Sequence, residues 1–90
     1  MQVTEGVNMD EDKKESTETI VSILEEAIES ESESEKKYLH AAELTYDARV
    51  KDFFLSLARM EHDHKEQLRG QLEELRAQLT VLGEMNDMFV

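Results

Sequence analysis

The 90-residue chain contains no cysteine and no proline. Without cysteine it can form no disulfide, no cysteine-ligated zinc site, no iron–sulfur cluster and no cysteine-ligated iron centre for electron transfer. Without proline, no helix is forced to stop by one. Basic residues are scarce: ten Lys and Arg stand against 22 Asp and Glu, a formal net charge of −12. Such a surface disfavours nucleic acid and anionic membranes as partners and favours cations. No apolar run reaches transmembrane length, and the N-terminus lacks the basic-then-apolar pattern of an export signal. The expectation is a soluble, cytoplasmic protein. No Ser/His/Asp constellation and no Gly-rich phosphate loop is present, which argues against hydrolase and kinase chemistry.

What the chain does have is helical periodicity. Residues 1–16 are polar and acidic, with Gly6, Asn8 and the cluster Asp10-Glu11-Asp12, and are expected to be disordered. Ser16 or Thr17 is the expected N-cap of a first helix running to about Thr45. Asp47 is placed to cap a second helix, which meets no strong stop until Gly83. The ordered hairpin is therefore expected over residues 17–83, with residues 84–90 a tail or short helix. Gly70 suits either an exposed position or the close approach of another helix. The run Glu29-Ser30-Glu31-Ser32-Glu33-Ser34-Glu35 alternates with a period of two, yet it lies between good helical patterns and reads as helix.

The first helix has one apolar face, Ile20, Leu24, Ala27, Glu31, Ser34, Tyr38, Ala41, Thr45. The second runs Val50, Phe54, Leu57, Glu61, His64, Leu68, Leu72, Leu75, Leu79, Leu82. Steps of three and four keep each set on one side of a helix. Glu31, Glu61 and His64 interrupt those faces, where an unneutralised charge is costly. Their heights agree as well. Glu31 lies 16 residues before Asp47, while Glu61 and His64 lie 14 and 17 after it. At about 1.5 Å per residue, an antiparallel hairpin brings all three level. Residues three apart on a helix point the same way, so Glu61 and His64 can share one ion. Glu35, one turn from Glu31, is a reserve ligand. His62 points about 100° away from Glu61 and reads as a surface histidine, as does His40. Tyr38, Met60 and Phe53 read most simply as core.

One hairpin supplies a Glu and a Glu-x-x-His, half the set that ferritin-like carboxylate sites take from four helices. Two copies complete it. The expected fold is all-α: an antiparallel two-helix hairpin that dimerises into a ferritin-like four-helix bundle. Residues after about 76 are expected to overshoot the first helix, so Leu79 and Leu82 would need cover from another subunit. That points to a ring or larger homo-oligomer.

The span from about Ile20 to Leu75 resembles the hairpin of the rubrerythrin-like branch of the ferritin-like superfamily. The residues carrying the likeness are Glu31 with Tyr38 two turns on, then Val50-Lys51-x-Phe53-Phe54-x-x-Leu57-Ala58-x-x-Glu61-x-x-His64. In size and spacing it is most similar to encapsulated ferritins, which have one hairpin per chain. The resemblance implies a di-iron centre across a subunit interface and oxidation of Fe(II). It implies Glu31, Glu61 and His64 as iron ligands, with Tyr38 beside them. Of the acidic residues that the family places beside the first ligand, Glu33 is matched, whereas Ser30 stands where an acid is expected. An encapsulin shell is a further partner the resemblance implies, with location inside a protein compartment. The end of the chain, Asn86-Asp87-Met88-Phe89-Val90, does not resemble the family's shell-docking peptide.

The expected function is that of a ferroxidase: two irons per subunit pair, oxidised by dioxygen for storage or detoxification. Manganese or zinc would also suit such oxygen-rich donors with one imidazole per ion. Peroxide reduction fits less well, since this chain has no cysteine-ligated iron to resupply electrons. The contrasting reading is a non-catalytic helical assembly or regulatory protein with a structural metal or none.

Overall fold

Asp47 begins the second helix as its position predicts. Its Oδ1 accepts the backbone N–H of Arg49 at 2.8 Å and of Val50 at 3.3 Å, and its carbonyl accepts Lys51 N–H at 2.9 Å. These bonds satisfy donors that the first helical turn leaves without partners. The turn before it is tight, with Thr45 N–H bonded to the Ala41 carbonyl and Asp47 N–H to the Thr45 hydroxyl. In the computed structural model, which describes residues 9–88 (side chains 11–83), two helices flank that turn. They are α1, Met9–Leu44, and α2, Ala48–Met88. Among the described residues no helix is long and apolar enough to cross a membrane.

α1 starts well before the expected cap. Residues 9–16, read as disordered from their lack of apolar period, form its first two turns. Glu11 and Asp12 fall in the first turn, where the helix dipole favours negative charge. Thr17 is not a cap: its hydroxyl donates back to the Lys13 carbonyl at 2.7 Å, and Thr19 does the same to Glu15 at 3.0 Å. At the other end α2 passes through Gly83 to Met88 rather than stopping there. The consequence is that the arms nearly match in length, 36 residues against 41. Leu79 and Leu82 do not overshoot. Both are half-buried, with Thr17 and Leu82 lining one groove at the open end of the hairpin. The argument for a larger assembly from unpaired leucines therefore loses its premise.

The seam between the helices is narrower than the expected faces. In α1 it runs Thr17, Val21, Leu24, Ile28, Glu31, Glu35, Tyr38, Ala42, Thr45; in α2 it runs Phe54, Ala58, Glu61, Lys65, Leu68, Leu72, Leu75, Leu79, Leu82. Both alternate steps of four and three, the 3.5-residue repeat of helices that wind around each other. Val21, Ala42, Ala58 and Leu72 are the buried hydrophobic residues among those described. One companion helix covers only this seam, so part of each expected face stays open. Ile20 remains 46% exposed and Val50 39%, and His64 is exposed. Phe53 and Met60, expected in the core, are 59% and 44% exposed. The molecule measures 66 × 30 × 13 Å, a slab one helix thick with no second layer to form a core.

Candidate metal centre

Four consecutive seam positions at mid-height carry charge: Glu31 and Glu35 on α1, Glu61 and Lys65 on α2. Ile28 and Tyr38 border the α1 pair, and Ala58 and Leu68 the α2 pair. These four sort into two groups on opposite flanks of the seam.

On the first flank, Glu31, Glu61 and His64 each present a ligand atom, and the three atoms lie within 4.8 Å of one another. Glu31 Oε2 stands 4.0 Å from His64 Nδ1, too far for a hydrogen bond. That oxygen is buried and has no hydrogen-bond partner. A buried carboxylate oxygen without a donor is costly unless a cation takes it. The Glu61 carboxyl titrates above the ordinary carboxylate range. The main cause is the Glu31 carboxyl beside it, which favours a shared proton; burial and repulsion from the Glu31 charge add to this, and His64 opposes it. Two carboxylates, one imidazole and an orphaned oxygen suit a divalent ion such as iron, manganese or zinc. Glu31, Glu61 and His64, which the sequence places at one level, are brought together in this geometry.

On the second flank, Glu35 is not free to serve as the reserve ligand. Its Oε1 accepts the Lys65 ammonium at 2.6 Å, and its Oε2 lies 3.4 Å from His62 Nδ1. The Lys65 side chain is only 12% exposed and the Glu35 side chain 20%. The Lys65 hydrogen bond is the main influence holding the Glu35 carboxyl below its usual range, opposed by burial. Lys65 is the residue that sequence reasoning missed. The 3.5-residue repeat of the packed helices puts Lys65 rather than His64 in the seam, a phase that the apolar residues alone do not select. Farther along this flank, Arg76 bonds Glu25 across the helices.

The remaining candidates lie elsewhere. Tyr38 stacks on Phe54 with ring centroids 6.2 Å apart, and Lys37 Nζ sits 5.9 Å from its ring centroid. His40 is exposed and lies 3.9 Å from Glu43 on its own helix. Ser30 and Glu33 are both exposed on α1. A Cβ added at Gly70 would meet nothing within 4 Å, so this glycine permits no close approach within the hairpin.

No curated protein and no solved structure matches the chain. The family model described as Rubrerythrin matches residues 22–88, both ligand-bearing stretches included. Proteins of this family typically bind iron and are generally redox-active di-iron carboxylate proteins. With the match spanning most of its length and two helices meeting at a carboxylate–imidazole cluster, the chain belongs to the rubrerythrin family.

Proposed function

We propose that two copies of the hairpin associate through the flank bearing Glu31, Glu61 and His64, and that the joint centre binds and oxidises Fe(II). The carrying observation is the half-set of ligands. Three ligand atoms in one hairpin can hold one ion, and two hairpins supply the four carboxylates and two imidazoles of a di-iron site. The same flank leaves Ile20, Ile23, Val50 and Phe53 exposed, apolar surface that a second copy would cover. In this reading the chain resembles the encapsulated ferritins, with iron as substrate. The acidic surface gathers Fe(II). Glu31 and Glu61 offset its charge, and His64 supplies a neutral nitrogen. Two Fe(II) ions give one electron each, and dioxygen takes both with two protons to leave as hydrogen peroxide. Tyr38, two turns from Glu31 and packed on Phe54, would border the assembled centre.

Purified protein mixed with Fe(II) in air tests this. Oxidation should outpace the buffer blank, and Glu31→Ala, Glu61→Ala and His64→Ala should each bring it down to the blank rate. His62→Ala and Glu29→Ala should keep it, since neither residue belongs to the three-ligand cluster. Metal bound without faster oxidation would instead favour a structural metal, and no metal uptake by dimeric protein would overturn both readings.

A further inference from the structure

The two flanks of the seam repeat one arrangement. On one, a glutamate of α1 faces a histidine of α2: Glu31 and His64, 4.0 Å apart. On the other, Glu35 faces His62 at 3.4 Å. The first pair is completed by a second carboxylate, Glu61. At the second pair the residue in the corresponding seam position is Lys65, whose ammonium bonds Glu35 at 2.6 Å and is nearly buried. A cation therefore already sits at the second carboxylate–imidazole pair, and it belongs to the chain.

We propose that Lys65 is a specificity-determining residue: its ammonium occupies the cation position of the Glu35–His62 pair and so confines divalent metal to the Glu31–Glu61–His64 flank. Three considerations support this. First, an ammonium and a divalent ion compete for the same carboxylate lone pairs, and a hydrogen-bonded, nearly buried lysine has little freedom to leave. Second, exchanging Lys65 for a carboxylate would give the second flank the donor set of the first, two carboxylates and one imidazole. The chain is one residue from a duplicate site. Third, the proposed association uses the Glu31 flank, although Leu39 and Leu55 leave some apolar surface toward the Lys65 flank as well. The Glu25–Arg76 pair bridges the helices farther along the Lys65 flank, while the exposed Ile20, Ile23, Val50 and Phe53 lie toward the Glu31 flank. A metal held on the Lys65 flank would have no second hairpin to complete it. Lys65 keeps the metal where assembly can use it.

The inference rests on the proposed metal centre, and stoichiometry separates the two. Co(II) serves as the probe, counted per chain by equilibrium dialysis and followed by its visible absorption. Wild-type protein and Lys65→Arg, which retains the charge, should each bind one ion. Lys65→Glu should bind two, and adding His62→Ala should return the count to one. Wild type binding none while Lys65→Glu binds one, lost with His62→Ala, would defeat the proposed centre and leave standing only the exclusion of metal from the Glu35–His62 pair by Lys65. An unchanged count in helical Lys65→Glu protein would overturn the inference. The added negative charge can unfold the hairpin before metal is supplied, and Lys65→Gln covers that case. Its melting temperature should rise more with Co(II) than that of wild type, and His62→Ala should remove the extra rise. An equal rise in Lys65→Gln and wild type would likewise overturn the inference.

Discussion

Two glutamates on the facing helices of one seam have opposite electrostatic fates. Glu35 has a nearly buried ammonium against it and is held as a carboxylate. Glu61 has another carboxyl against it and is pushed toward the protonated form. The pH consequences are opposite in sign. Glu35 contributes stability that is present above its unfolded value and lost as pH falls through its lowered folded value. Glu61 binds a proton more tightly in the folded chain than in the unfolded one. Its contribution is full below the unfolded carboxylate value and disappears as pH rises through the raised folded value. Metal-free Glu61→Gln, neutral at every pH, should therefore melt above wild type at neutral pH and converge with it in acid. Glu35→Gln should melt below wild type at neutral pH. Thermal unfolding in the presence of a chelator reads both, and a Glu61→Gln protein less stable than wild type at neutral pH would show that the Glu31–Glu61 contact is not repulsive.

The helices are held by their ends and their seam more than by a core, since only four described hydrophobic residues are buried. Asp47 carries much of the turn, with two backbone donors on one carboxylate oxygen. Asp47→Ala should cost about 1 kcal/mol, read as a lower urea midpoint, whereas Asp47→Asn should be close to neutral. An unchanged midpoint for the alanine variant would place the stability of the turn elsewhere. The Asp47 cap, the two helices and the shared level of Glu31, Glu61 and His64 were legible in the sequence because each rests on local chemistry or on simple spacing. The start of α1 was not. Residues 9–16 have no apolar stripe, yet acidic residues at a helix N-terminus allow helix without one. The exact seam was not legible either. Ile20 and Val21 are both apolar, as are Ala41 and Ala42, so composition fits two phases. Only the companion helix selects the 3.5-residue repeat, and with it Lys65 in the seam in place of His64.

At the scale of the whole molecule, a slab 13 Å thick with an apolar flank calls for a second layer, and the numbering restricts how a second copy can supply it. Ile20 and Ile23 precede Glu31 by 11 and 8 residues, and Val50 and Phe53 precede Glu61 by the same 11 and 8. Because the helices are antiparallel, the isoleucines lie on the open side of the ligand level and Val50 and Phe53 on the turn side, at equal distances. A two-fold axis through the ligands and perpendicular to the helices exchanges the two sides. It brings Ile20 of one copy level with Val50 of the other, and Ile23 level with Phe53, while it joins the two half-sets of ligands. A two-fold axis parallel to the helices would instead bring each Ile23 level with its own equivalent. The absence of native cysteine makes the distinction direct. Ile23→Cys and Phe53→Cys, expressed separately, mixed and oxidised, should give a mixed disulfide dimer in high yield. Ile23→Cys alone should cross-link poorly, because eight residues from the axis on either side leave about 24 Å between the two thiols along the helix direction. Efficient self-cross-linking of Ile23→Cys with none to Phe53→Cys would reject the perpendicular axis and this packing of the four-helix bundle.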